Sequence, residues 1–183
     1  MIEVEVKAKI KDFEAVKTLL KEINAKKSHV EHQEDSYFNN PLKDFGKTDE
    51  ALRIRKVTIK NKFEIFITYK GPKIDKTSKT REEIEVGIED SEKIDKIFQH
   101  LGFKKVADVI KNRTIYNLNQ YIISLDEVKD LGPYMEIETD LEDGSEFKEE
   151  LDKIFDIFKK LGINDGFERT SYLELLYPNI SKQ

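Results

Sequence analysis

One pattern limits the folds open to this chain. Charged and apolar residues alternate in strand after strand, and the charges keep the same phase. The opening stretch sets it: Glu3, Glu5 and Lys7 alternate with Ile2, Val4, Val6 and Ala8. Successive side chains of a strand point to opposite faces, so one face carries two carboxylates and an ammonium while the other is apolar. The same phase holds Arg53 with Arg55, Lys70, Arg81 with Glu83 and Glu85, Lys111 with Arg113, and Glu136 with Glu138.

Strands over residues 2–10, 26–38, 62–70, 81–86, 103–117, 120–126 and 134–138 follow from this alternation, with another beginning at Leu52-Arg53-Ile54-Arg55. Helices fall between them. Asp12 caps one that carries Phe13, Val16, Leu20 and Ile23. Ser91 is expected to cap a second, with Ile94, Ile97, Phe98 and Leu101, stopped by Gly102. Ser145 is expected to cap a third, with Phe147, Leu151, Ile154, Phe155, Phe158 and Leu161, stopped by Gly162. Residues 171–176 read as a short helix. Residues 42–49 read as a polar loop, and 73–80, rich in Lys, Ser and Thr, as a mobile solvated one. A faint repeat links Asp35-Ser36-x-Tyr-like, Arg113-Thr114-Ile115-Tyr116 and Arg169-Thr170-Ser171-Tyr172, each after a helix, which suggests related halves with helices on one side of a sheet. Nothing resembles a linker, so residues 1–183 read as a single domain.

Two arrangements satisfy the pattern. In one, a surface sheet is laced with cross-strand ion pairs, each worth little. In the other, helices cover the apolar face and the charged face closes on itself as an inverted barrel, polar within. Charges inside such a barrel must pair or bind something. Lys7, Arg53, Arg55, Lys70, Arg81, Lys111 and Arg113 would grip a polyphosphate. Glu3, Glu5, Glu136 and Glu138 would hold Mg2+ or Mn2+, hard cations that take oxygen ligands.

Composition narrows the partners. Charged residues make up 38% of the chain, against a usual ~25%, which raises the stakes of where they go. A net charge of −5 argues against a general nucleic-acid binder but leaves room for a local basic pocket. The chain has no cysteine, so disulfides and thiolate metal sites are excluded. No apolar run approaches a membrane span and no signal peptide is evident, so no membrane partner and a cytoplasmic location are expected.

Glu3-x-Glu5-x-Lys7 resembles the ExExK signature of the CYTH, or triphosphate tunnel metalloenzyme, superfamily. Asp35-x-Tyr37-Phe38-x-x-Pro41, Leu52-Arg53-Ile54-Arg55, Thr68-Tyr69-Lys70-Gly71-Pro72, Arg81-x-Glu83-x-Glu85, Lys111-x-Arg113, Leu125-Asp126-x-Val128-x-x-Leu131-Gly132 and Glu136-Ile137-Glu138 follow in the order that family shows. The likeness spans residues 2–176 and is greatest to the class IV adenylyl cyclase (CyaB-like) branch. It implies an α+β fold: a closed antiparallel eight-stranded tunnel with a polar interior and helices outside. It also implies a divalent metal, a triphosphate substrate and, in the cyclase branch, a homodimer.

Three readings of the activity follow. A cyclase would turn ATP into 3′,5′-cyclic AMP and pyrophosphate, with Glu3, Glu5, Glu136 and Glu138 at the metal, Glu83 and Asp126 as further ligand candidates, and Lys70 among the catalytic groups. A triphosphatase would hydrolyse tripolyphosphate, thiamine triphosphate or a nucleoside triphosphate in the same grip. A non-catalytic polyphosphate binder would need the bases but not the acids. Tyr37 is a proton-handling candidate, although it reads more simply as a packed strand aromatic. Lys73, Lys76 and Lys79 are expected in a solvated loop rather than in a lid. His29, His32 and His100 lack metal-ligand spacing, and the acid-rich run from Asp140 to Asp156 reads as the solvated face of the third helix.

Overall fold

The computed structural model describes residues 1–178. Its strands are β1 (Ile2–Lys9), β2 (Lys26–Asn39), β3 (Ala51–Ile59), β4 (Lys62–Lys70), β5 (Arg81–Ile88), β6 (Lys104–Leu118), β7 (Tyr121–Val128) and β8 (Gly132–Leu141). They close into an antiparallel barrel in the order β1-β5-β4-β3-β2-β6-β7-β8, with β8 returning to β1. The helices are α1 (Phe13–Glu22), α2 (Phe45–Thr48), α3 (Ser91–His100), α4 (Lys148–Lys160) and α5 (Tyr172–Leu176). None of them is long and apolar enough to cross a membrane.

The barrel is inverted, the second of the two arrangements that the charge phase allows. Val4, Val6 and Ala8 of β1 face outward with Ile123, Met135 and Ile137, and pack under Val16 and Leu20 of α1 and Leu151, Ile154, Ile157 and Phe158 of α4. All are buried, so the main apolar core lies between barrel and helices. A second cluster seats Ile94 and Phe98 of α3 on Phe38, Ile54 and Ile65. Removing this apolar surface from water at ~25 cal/mol per Å2 is what offsets the cost of a charged interior.

Local chemistry sets the helix ends. Asp12 caps α1, its carboxylate accepting from the Glu14 and Ala15 amides. Asp90, not Ser91, caps α3 by accepting from the Lys93 amide at 3.0 Å. Ser145 does not cap α4. Its amide closes a turn on Glu142, and α4 starts at Lys148 after Phe147, which offers no side-chain cap. Gly102 and Gly162, at φ +86° and +74°, end α3 and α4 in the left-handed region where a side chain would be strained. The polar loop expected at 42–49 contains α2. The related halves are visible as β1-α1-β2 and β5-α3-β6, and the rise and fall of exposure along β2 and β6 coincide over their first thirteen positions. Asp35 and Arg113 occupy the same place in the two strands.

β1 has unequal edges. It pairs with β8 through eight residues, from Ile2↔Leu141 to Lys9↔Tyr134. It pairs with β5 through only Ile2↔Glu82 and Glu3↔Arg81. Beyond that its free edge is met by the Lys79 amide on the Glu5 carbonyl at 2.9 Å and the Glu168 amide on the Lys7 carbonyl at 2.8 Å. The 73–80 segment is thus built into the wall: Ser78, Lys79 and Thr80 are buried, contrary to the solvated loop expected from its composition.

Candidate active site

The inward phase lines a cavity of about 310 Å3 that holds Glu3, Glu5, Arg53, Arg55, Lys70, Arg81, Glu83, Lys111, Arg113, Glu136 and Glu138. Acids gather on β1 and β8, where the register places Glu5 opposite Glu138 and Lys7 opposite Glu136. Carboxylate oxygens of Glu3, Glu5 and Glu138 all lie within 4.8 Å of one another. Burial, then the neighbouring Glu3 charge, pushes the Glu138 carboxyl up to about 8. Burial and the Glu136 charge push Glu5 up as well. Three hard oxygen donors that repel one another are the donor set a divalent cation would relieve, so these residues fit one.

The bases stand on β3, β4 and β6, and their partners differ in quality. Arg55 forks onto Asp35 with bonds of 2.6 and 2.7 Å. Arg113 forks onto Asp126 at 2.7 and 2.6 Å and also reaches Glu136. Lys70 bridges Glu3 at 2.6 Å and Glu83 at 2.5 Å. Arg53 is less well served: Nε donates to Thr68 at 3.1 Å, and Glu83, Glu85 and Asp35 lie at 3.7, 3.8 and 3.9 Å. Lys111 has Asp35 at 3.4 Å, and burial, then the Arg55 charge, lowers its ammonium to about 7. Arg53 and Lys111 therefore have the most to gain from a polyanion.

Of the expected site residues, Lys7 and Asp126 stand apart from the cavity, and several that line it are already engaged. Lys7 does not line it. Its ammonium donates to the Thr170 carbonyl and sits 4.2 Å from the Tyr172 ring centroid, and burial lowers it to about 7. Asp126 is spent on Arg113 and on the Tyr172 hydroxyl at 2.9 Å. Glu136 is engaged by Arg113 and Lys79, which hold it well below the usual carboxylate range. Glu83 pairs with Lys70 and Arg53. Arg81 lines the cavity but donates to the Gly71 carbonyl at 3.2 Å, bracing the turn after β4. Tyr37 is half-buried at the mouth and packs against the cluster of Val109, Tyr134 and Tyr172. His29 meets Glu31 and His32 meets Asn112, while Lys73 pairs with Asp49.

Two interior residues escaped the sequence reading. Lys79 reaches Glu5 at 2.5 Å and Glu136 at 3.1 Å. Its signal was present, because 79 is in phase with Arg81, Glu83 and Glu85. The Ser and Thr around it concealed the phase. Tyr172 enters from α5, with the ammoniums of Lys7, Lys111 and Lys79 at 4.2, 5.5 and 6.0 Å from its ring. The repeated Arg-Thr-x-Tyr marker pointed to it without indicating a role.

The CYTH domain family matches residues 1–172. A Methanocaldococcus jannaschii protein, provisionally named an adenylate cyclase, is 48% identical over 176 residues, 96% of this chain and 98% of that one. The solved structure of the PH1819 protein from Pyrococcus horikoshii superposes with a TM-score of 0.90 at 44% identity, covering 97% of this chain and 99% of the other. A Hippeastrum adenylyl cyclase candidate, described as having a dominant triphosphatase activity, shares the fold at a TM-score of 0.67 and 19% identity, covering 97% and 96%.

Proposed function

The chain belongs to the CYTH domain family, and from that premise we propose that it is a metal-dependent adenylyl cyclase, converting ATP to 3′,5′-cyclic AMP and pyrophosphate. One observation carries the reading: Arg53 and Lys111, whose ion pairs are long, share one cavity with the crowded acids Glu3, Glu5 and Glu138, of which Glu138 has no cation within ion-pair distance among the described residues. A metal–triphosphate complex supplies both missing charges. When bound, a divalent cation on the trio would neutralise phosphate oxygens and draw electrons from the reacting phosphorus.

The chain's own residues do the rest. Arg53, Arg55, Lys70, Lys111 and Arg113 hold the triphosphate extended, which fixes the α-phosphorus relative to the ribose. Their charges stabilise the oxygens that gain negative charge as the bond order changes. The ribose 3′-oxygen bonds to the α-phosphorus, the α–β bridging oxygen leaves with pyrophosphate, and the hydroxyl proton passes to water. Tyr37, Phe45, Val106 and Leu173 give the mouth apolar surface for an organic group beyond the phosphates. That surface favours a nucleotide over bare tripolyphosphate.

Hydrolysis is the second reading, favoured by the triphosphatase activity ascribed to the Hippeastrum protein of the same fold. It keeps the same grip and replaces the 3′-oxygen with water. Purified protein with Mg2+ or Mn2+ is to be given ATP, thiamine triphosphate and tripolyphosphate separately. Cyclic AMP with equimolar pyrophosphate is expected from ATP. Orthophosphate from tripolyphosphate with no cyclic AMP from ATP would replace the cyclase by the triphosphatase.

A further inference from the structure

The 73–80 segment is a fastened strap. The Ile74 amide donates to the Thr80 carbonyl at 2.9 Å, and Asp75 accepts from the Thr77 and Ser78 amides at 2.7 and 2.8 Å. The Lys79 amide takes the Glu5 carbonyl on the edge of β1 that β5 leaves free. From the C-terminal segment, Arg169 clamps the strap by donating to the Ser78 carbonyl at 3.0 Å and the Asp75 carbonyl at 2.5 Å. The strap therefore aims one side chain, Lys79, through the gap in the wall and into the acids.

The Lys79 ammonium lies between Glu5 Oε1, at 2.5 Å, and Glu136 Oε1, at 3.1 Å. Arg113 occupies the other oxygen of Glu136. Both Glu136 oxygens are thus taken by cations, whereas no protein cation lies within ion-pair distance of Glu138 among the described residues. The acid wall has four carboxylates, enough for two divalent ions that share Glu5. A second ion on the Glu5–Glu136 side would meet a fixed ammonium with a like charge in a medium of low dielectric, where repulsion is strong. The Arg169 clamp and the β1 contact together hold the strap against the wall, which keeps the ammonium beside these acids while both are made.

We propose that Lys79 is a tethered cation that fills the position between Glu5 and Glu136 which a second divalent ion would otherwise take, so that the protein holds a single metal ion on Glu3, Glu5 and Glu138. This rests on the metal-dependent reading above. Its consequence is an acid wall with one exchangeable cation, the Glu5–Glu136 position being filled by the chain's own Lys79.

Mn2+ binding without nucleotide tests it, measured by calorimetric titration and by the loss of the free-ion electron paramagnetic resonance signal. One ion per wild-type chain is expected. Lys79→Met should raise this to two, and Lys79→Arg, which keeps a cation, should hold it at one. Should Lys79→Met fail to fold by circular dichroism, Arg169→Ala replaces it. That variant leaves every tunnel carboxylate in place, unfastens the strap, and should also take up a second ion. Two ions on the wild type, or one on both the wild type and the deciding variant, overturns the proposal while leaving the metal-dependent reading intact. No ion on the wild type overturns both.

Discussion

Asp35 on β2 and Glu138 on β8 are carboxylates inside one tunnel, reached by the same alternation of residues, yet they are held in opposite states. Asp35 accepts two bonds from Arg55 and has Lys111 and Arg53 close by, and the Arg55, Lys111 and Arg53 charges overcome burial to hold it well below the usual carboxylate range. Glu138 has acids for neighbours and is pushed up to about 8. Asp126 with Arg113 belongs with Asp35, and Glu5 with Glu138. The interior thus separates into carboxylates that arginine completes and carboxylates crowded by other acids, where Lys79 reaches Glu5 without offsetting that crowding and Glu138 has no cation partner among the described residues. A buried acid already forked by arginine builds the wall. One crowded by other acids waits for a cation.

The largest expected effect breaks the first class. Asp35→Asn removes the shared anion of Arg55 and Lys111 and leaves buried cations without a partner. A loss of ~3–5 kcal/mol in unfolding free energy is expected from urea titration. A cost under ~1 kcal/mol would mean that Asp35 is not the wall's counter-charge and that its likeness to Asp126 is superficial.

Glu138→Gln tests the other class and should do the reverse. It removes a carboxyl that the metal-free fold has to keep protonated, so stability of the metal-free protein should hold or rise. Cyclic AMP formation should fall on the order of 10²–10³-fold, as when one preorganised electrostatic group is lost. The pH dependence separates the two further. Between its ordinary value of 4.5 and about 8, Glu138 keeps its proton in the fold and loses it in the unfolded chain. The unfolded state then binds fewer protons, so this group lowers stability as pH rises through that window. Asp35 works with the opposite sign: its contribution is full above 3.8 and is lost as pH falls toward its depressed folded value. The thermal midpoint of the metal-free protein should therefore decline between pH 5 and pH 7, and Glu138→Gln should flatten that decline. A variant with the wild-type slope would mean that a group other than Glu138 takes up the proton in this window.

How much of this is legible in the residues depends on which partner a feature needs. The alternation is a property of each strand alone, so a charged face and an apolar face are readable from β1 onward, whereas closure of the charged face into a tunnel depends on pairing between strands and comes only with the family resemblance. Which acid meets which base is set between strands. Asp126, Glu136 and Glu138 look alike in sequence, and only the register against β6 and β1 hands the first two to Arg113 and leaves the third to Glu3 and Glu5. Lys7 carries the phosphate-facing pattern, but the C-terminal segment folds over it and draws its ammonium toward Thr170 and Tyr172. Lys79 is in phase with β5, yet its burial depends on β5 leaving β1 after two residue pairs, an outcome of barrel closure that no local pattern encodes. The cap of α3 shows the same limit on a small scale. Asp90 and Ser91 can both cap, and the helix takes the earlier.

The mildest change probes how complete the first class is. The Tyr172 hydroxyl gives Asp126 a third bond, at 2.9 Å, beyond the two from Arg113. Tyr172→Phe removes that donor and nothing else: the ring still sits 4.2 Å from the Lys7 ammonium and still packs against Tyr134. Asp126 keeps its arginine fork, so no buried charge is orphaned. The cost should be that of one hydrogen bond to a charged group, ~1.5–3 kcal/mol, and smaller than that of Asp35→Asn. Urea titration of the two variants side by side gives the ratio. Equal costs would mean that the arginine fork alone does not satisfy Asp126, and that the C-terminal segment is part of what makes this carboxylate a finished piece of the wall.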